Sequence, residues 1–333
     1  MITGTVDDST YFFKNSSNLS SDPRVFDIKK YLIVLGSDNT SKIEEYREKY
    51  GCIEEEYVTE WIEALLPYFK TNKSAEVMKL STQNEIYLEE KSDINNLNYL
   101  EESKENWTGE PRVLVAFLEC LKRIKEYESI QNQLNKIFPM ICQVIDDYRS
   151  QFKIKGVGLL EEFMRIVPAD VMAKFNLHLV LYESLKVNVT FESDELLESS
   201  LNSWIKLIAK VEIFGSKEFL KRTDEVLLLL CRDVGITSKI NRKVILLNAI
   251  GRLVELMEYC AIRYLRKVTV TLCESVREDF TVDTVVKAGE EAMIFVIKNC
   301  WIRMKSEELQ KLILDTFGGC KNIESLLKMI KSL

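Results

Sequence analysis

Helix-breaking residues are scarce in this chain. Five prolines and twelve glycines occur in 333 residues, where average usage of roughly 5% and 7% predicts about 17 and about 23. Hairpin-rich β architectures need many more turn residues, so a strand-rich fold is disfavoured and long helices are favoured. There is one histidine, His178. None of the eight cysteines, at positions 52, 120, 142, 231, 260, 273, 300 and 320, stands in Cys-x-x-Cys spacing, which removes zinc ribbons and thioredoxin-like sites. Most lie inside apolar helical stretches, where a free cysteine behaves as a small hydrophobe. The longest apolar runs, such as Val226 to Cys231, fall far short of the roughly 18 residues that span a bilayer. No basic segment followed by an apolar run opens the chain, so a soluble, intracellular protein without a membrane partner is expected.

Positive charge is also in short supply. Lys and Arg number 45 against 52 Asp and Glu, a net charge of −7. Phosphate neutralisation dominates nucleic-acid affinity, so this balance, with no dense Lys/Arg run, argues against direct nucleic-acid binding. What is abundant is apolar and charged residues together, 46% and 29%, the composition of a chain able to bury a sizeable core.

Four regions follow from patterning. Residues 1–22 are polar and read as a flexible lead-in. Residues 23–70 read as N-terminal helices, the first with Pro23 in its first turn and the next with Val58, Ile62, Leu65, Leu66 and Phe69 on one face. Residues 71–109, acidic and rich in Asn and Ser, read as a linker or insertion, with a partner-binding segment as the alternative. From residue 110 to 333 the pattern is almost continuous helix, opening with Val113, Leu114, Phe117, Leu118, Leu121 and Ile124 at helical spacing.

Within that last region a unit recurs. An apolar helix from Leu134 contains Pro139 and ends at a corner, Asp146-Asp147-Tyr148. A second helix follows, with Phe152, Val157, Leu160, Phe163 and Ile166 on one face. Aspartates at the corner are placed to accept hydrogen bonds from the N–H groups opening the second helix. Lys153 and Lys155 are placed to meet those acids, and Gly156 to let the two helices approach. Further pairs are expected at Val171 to Val187 with Asp194 to Val211, at Ser216 to Arg232 with Ser238 to Leu256, and at Glu258 to Val276 with Asp283 to Trp301. Two last helices, "SEELQKLILDTF" and "NIESLLKMIKSL", close the array. Units begin roughly every 36 to 45 residues, near the spacing of HEAT and armadillo arrays. The expected fold is all-α, an α-solenoid of HEAT/armadillo-like hairpins, in which stacking supplies the core.

Catalytic chemistry finds little support. His178 has no motif around it and reads as a packed or groove-lining residue. Gly156-Val157-Gly158 lies in a helical pattern, not after a strand, and makes a poor phosphate cradle. Asp146-Asp147 without further converging carboxylates reads as a helix cap and not as a metal pair. The Glu54-Glu55-Glu56 and Glu101-Glu102 runs read as solvated charge. No catalytic, cofactor-binding or metal-binding set is expected, and the partner-binding surface is not legible.

The run "FPMICQVIDDYRSQFKIKGVGLLEEFMRIVP", Phe138 to Pro168, resembles the signature region of the Tel-two-interacting protein two family. The resemblance falls on Pro139, Asp146, Asp147, Tyr148, Lys153, Gly156, Leu159 and Leu160, which on placement are fold determinants more than partner contacts. "FNLHLVLYESLKVNVTF" resembles that family's next helix, leading to a short extended stretch. "FVIKNCWIRM" resembles its Asn-x-Trp-Pro-Arg-Ile run on Asn299, Trp301 and Arg303, with Ile302 in place of the proline and Met304 in place of the isoleucine. The similarity covers about Leu134 to Cys320. It implies a non-enzymatic scaffold of the cytoplasm and nucleus that binds the larger helical-repeat subunits of the Triple T (TTT) co-chaperone complex. Through them it would act, with the ninety-kilodalton heat-shock chaperone, on the folding and stability of phosphatidylinositol-3-kinase-like kinases, and so on DNA-damage and telomere signalling. The competing expectations are a HEAT/armadillo adaptor in transport or trafficking, and a helical enzyme with an unrecognised site.

Overall fold

A computed structural model describes residues 58–69, 107, 112–304 and 306–332. The lead-in at 1–22, the helix expected after Pro23, the two glutamate runs and the 71–109 segment (Trp107 excepted) lie outside the described residues. Every regular element among the described residues is helical. Two compact units are distinguished, the first ending at Gln133 and the second beginning at Leu134.

In the first unit, α1 (Val58–Phe69) packs on α2 (Arg112–Arg123), and a 3₁₀ segment follows at Tyr127–Gln133. The expected apolar face buries Ile62, Leu65 and Phe69 against Val113, Leu114, Phe117 and Leu121 of the same unit. Aromatic rings centre it: Phe69 lies edge-on to Phe117 at 5.6 Å and stacks on Trp107 at 6.2 Å. Trp107 is held there by its backbone N–H, which donates to the Tyr68 carbonyl at 3.0 Å.

The second unit is a run of antiparallel helix pairs. These are α3 (Leu134–Ile145) with α4 (Ser150–Ile166), α6 (Leu177–Val189) with α7 (Asp194–Val211), α8 (Lys217–Ile236) with α9 (Ile240–Met257), α10 (Leu265–Glu278) with α11 (Asp283–Cys300), and α12 (Glu307–Phe317) with α13 (Lys321–Ser332). A short α5 (Ala169–Lys174) joins the first two pairs. The second helices form one row, with α4 against α7, α7 against α9, α9 against α11 and α11 against α13. The first helices form the other, α8 against α10 and α10 against α12, with α3 touching α6 at its start. Each pair alone would leave an apolar stripe in water, and stacking covers it. Leu201, Trp204, Leu207 and Ile208 of α7 are buried this way, as are Leu246, Leu247, Ile250 and Leu253 of α9. This is an α-solenoid.

Local chemistry explains where several helices start. Ser193 Oγ accepts from the Leu196 N–H at 3.3 Å and Ser216 Oγ from the Phe219 N–H at 3.1 Å, the N-cap contact expected of serine. Two boundaries differ from the periodicity. The stretch Val171 to Val187 is not one helix, because Asn176 takes a left-handed conformation (φ 54°) between α5 and α6. After Met257, Glu258 has φ 46° and a 3₁₀ segment, Glu258–Tyr264, precedes α10. The extended stretch expected after Val189 is a turn, with Thr190 and Phe191 N–H groups donating to the Val187 and Asn188 carbonyls.

Candidate functional site

The corner between α3 and α4 gathers most of the signature residues. Pro139 lies inside α3. Gly156 of α4 faces Ile145 so closely that a Cβ would sit 2.7 Å from the Ile145 backbone nitrogen. Leu159 and Leu160 are buried on the same helix, and Phe138 meets Phe163 at 5.7 Å between ring centres.

The aspartates do not cap α4 in the expected way. Arg149 is the N-cap residue and no side chain caps the helix. Asp147 instead accepts from the Arg149 backbone N–H at 2.8 Å and from its guanidinium at 3.0 and 3.1 Å, because two residues is the reach of an Asx turn. Asp146 is exposed, and its backbone N–H closes α3 on the Cys142 carbonyl. Tyr148 is 72% exposed, with the Arg149 guanidinium 5.0 Å from its ring and 4.2 Å from that of Phe152.

Lys153 hydrogen-bonds neither aspartate. It is 3% exposed, and its ammonium donates to the Ile145 carbonyl at 2.9 Å and to Asn188 Oδ1 of α6 at 2.8 Å, 4.7 Å from the centre of the Phe191 ring. Burial lowers its pKa, and the charges of Asp146 and Asp147 counteract only part of that. Lys155 lies over Phe152 at 5.8 Å, not against the acids.

A second corner repeats the device. Lys243, like Lys153, is the fourth residue of its helix and 3% exposed. Its ammonium donates to Asp279 at 2.5 Å and Glu278 at 3.1 Å, at the end of α10. Burial works to lower its pKa, but the hydrogen bonds and charges of Asp279 and Glu278 together raise it. Beside it, Arg242 donates to the Val189 and Phe191 carbonyls at 2.9 and 3.0 Å. Sequence reading missed Asn188, Arg242, Lys243, Glu278 and Asp279. The available signal was the acidic pair ending an apolar helix, present at Asp146-Asp147 and again at Glu278-Asp279.

The remaining candidates are dispersed. Asn299 donates to the Phe295 carbonyl one turn back at 2.9 Å. Trp301 and Arg303 stand exposed in a 3₁₀ turn, while Met304 is buried and its carbonyl accepts from Gln310 at 2.6 Å. His178 is half-buried, with Nδ1 3.2 Å from the Met172 carbonyl and its ring edge-on to Tyr182. A carbonyl only accepts, so Nδ1 carries the proton. Burial pushes the Cys300 thiol up to about 11 and that of Cys142 to about 12, which suppresses the thiolate a nucleophile requires. A groove of about 230 Å³ between α7, α9 and α11 is lined by Glu198, Asn248, Arg252, Glu291 and Phe295, below the usual size of a small-molecule site. Among the described residues no set of three His, Cys, Asp or Glu could hold a metal ion, and no helix is long and apolar enough to cross a membrane.

An α-solenoid in which Lys153, Arg242 and Lys243 join neighbouring helix pairs belongs to the class of stacked-repeat proteins with extended surfaces. Residues 38–283 match the Tti2 family, and this chain belongs to that family. It is similar to TELO2-interacting protein 2 of Mus musculus (28% identical over 110 residues), of Rattus norvegicus (27% over 110) and of Homo sapiens (25% over 109). Each alignment takes in 33% of this chain and 21% of the relative, so only about a fifth of the relatives' length is matched.

Proposed function

We propose that this chain is a non-enzymatic scaffold subunit of a Triple T-type assembly, binding a TELO2-related protein and other larger helical-repeat subunits. Membership of the Tti2 family over residues 38–283 carries this reading, and the naming of its relatives as TELO2-interacting proteins agrees with it. Stacked HEAT-like pairs offer a stiff surface on which partners assemble. Its downstream role is support of the folding, assembly and stability of phosphatidylinositol-3-kinase-like kinases with the ninety-kilodalton heat-shock chaperone, in cytoplasm and nucleus.

The test is tagged purification from the chain's own cells, paired with rapid depletion. A TELO2-related protein should copurify, and the giant kinases should fall several-fold in abundance after depletion. Recovery of transport or trafficking proteins instead, with kinase levels unchanged, overturns the reading.

A further inference from the structure

The four turns that link one helix pair to the next carry a line of exposed apolar side chains. Phe175 stands between α5 and α6, Ile213 and Phe214 between α7 and α8, Tyr259 between α9 and α10, and Trp301 with Ile302 between α11 and α12. They are 42 to 79% exposed. Turns are ordinarily built from Gly, Pro, Asn, Asp and Ser, and Gly215 and Ser216 already supply the geometry at the second one. The apolar residues are therefore not needed to make the turns.

These turns share one edge of the second unit. Lys153, Arg242 and Lys243 tie the starts of α4 and α9 to the ends of α6 and α10 at the opposite edge. On the edge in question, Lys210 at the end of α7 donates to the Met164 carbonyl at the end of α4. Phe214 touches Tyr259 of the next turn, ring centres 5.6 Å apart, and rests on Phe219 at 5.2 Å.

We propose that this edge, carrying Phe175, Ile213, Phe214, Tyr259, Trp301 and Ile302, is the docking surface for an amphipathic helix of a partner protein. The inference rests on the reading above, that the chain is a subunit of a protein assembly. At 42 to 79% exposed, the six side chains offer roughly 100 Å² each where a whole large side chain is worth about 150–250 Å², or about 600 Å² together. A standard interface buries about 800 Å² per partner, so this patch with a polar rim is sufficient. Packed helices lie 8–10 Å apart, so the turns recur at about that step, with Phe214 leaning from its own turn onto Tyr259 of the next. Residues seven apart on a helix are separated by about 10.5 Å, which lets one apolar stripe of about 20 residues meet all four turns.

The rim carries both signs, with Lys174, Lys217 and Arg303 beside Glu218, Glu258 and Glu307, all exposed. That mixture suits a protein rim better than an anionic bilayer, which favours clustered cations. At the opposite edge Tyr148, Ile236 and Phe280 are as exposed. That edge also carries the Asp147–Arg149 pair, Arg242 and the Lys243 cluster, and single exposed apolar residues are ordinary.

The test places a photo-crosslinking phenylalanine analogue at Phe214 or Tyr259 of the full chain, with Phe280 as control, in its own cells. Both positions should link to one peptide whose apolar residues recur at i, i+3 or i+4, and i+7, and Phe280 should not. The double variant Phe214→Asp/Tyr259→Asp, melting as wild type, should then lower recovery of that protein at least tenfold, and Ile236→Asp less than twofold. Adducts only to a second copy of the chain, to lipid or to an extended segment overturn the proposal, as does no adduct. If the adduct is a helix of a protein outside a Triple T-type assembly, the edge stands and the functional reading fails. Where the TELO2-related protein copurifies but neither position links to any helix, the edge fails and the reading stands.

Discussion

Two buried lysines hold the same place in their helix pairs and behave oppositely. Lys153 opens α4 and donates to a carbonyl and an amide oxygen, both neutral, so burial dominates and its pKa is lowered. Lys243 opens α9 and meets two carboxylates, which outweigh burial and raise its pKa. Position and exposure are equal; the partners' charge decides. The first corner is dry, with Asn188 itself fully buried, whereas the Glu278 side chain at the second remains 60% exposed. At the first corner the buried cation satisfies one of the last carbonyls of α3, that of Ile145, and at the second it is held by two carboxylates whose charge opposes its own.

The largest expected effect tests how tightly the first corner is closed. Gly156→Ala drives a Cβ into the backbone of Ile145, so α3 and α4 must separate. A net loss of about 3 kcal/mol is expected, in spite of a helix-propensity gain of roughly 1 kcal/mol. At Gly289 the obstacle is Val276 Cγ2, a methyl of one buried, χ1-restricted side chain and not backbone. Gly289→Ala should cost less than Gly156→Ala, about 1–2 kcal/mol, because one side chain must shift and not a whole helix. Urea unfolding of the two variants measures the contrast, and equal losses would show that the first corner is no stiffer than the fourth pair.

Next come the lysines themselves. Lys153→Met leaves the Ile145 carbonyl and Asn188 Oδ1 buried without their donor, a loss of about 2 kcal/mol. Lys243→Met leaves carboxylates that can turn toward water, and about 1 kcal/mol should be lost. The order of the two denaturation midpoints is the observable, and its reversal would mean that the charge pair outweighs the dry corner.

The same contrast has a pH signature of opposite sign. In the window between the lowered pKa of Lys153 and the ordinary lysine value near 10.5, the unfolded chain binds more protons, so its contribution to stability improves as pH rises. The Lys243 contribution is fully present below about 10.5 and is lost as pH climbs through its raised folded value. Melting temperatures of wild type, Lys153→Met and Lys243→Met between about pH 8.5 and 11 should show the first variant losing the upward component and the second losing the downward one. Identical slopes in all three would remove both assignments.

The smallest effect concerns His178. His178→Ala removes one half-exposed hydrogen bond to the Met172 carbonyl and should cost about 0.5–1 kcal/mol, with no loss of partner recovery at equal abundance. Abolished function in a normally folded variant would reopen a catalytic role.

Much of the architecture was legible because its causes are local. Val113, Phe117 and Leu121, or Leu197, Leu201, Trp204 and Ile208, are buried where helical spacing places them, and Ser193 and Ser216 announce helix starts. Glu258 and Asn176 break helices without Gly or Pro, so no composition signal marked those bends. The corner pairings were illegible for a different reason: Lys153 and Asn188 are 35 residues apart, and Lys243 and Asp279 are 36 apart. No local pattern distinguishes a lysine that will be buried from one that will face water.

The sequence by itself determined the all-helical class, the succession of helix pairs and the apolar face of each helix, since these depend on 3.6-residue periodicity and on residues within a turn of one another. Only the tertiary structure decided which neighbour each buried lysine meets and which aromatic side chains remain in water. Those depend on how one helix pair stacks on the next. Leucines in the core and aromatics on the linking turns are equally apolar, and stacking alone covers the first and leaves the second exposed.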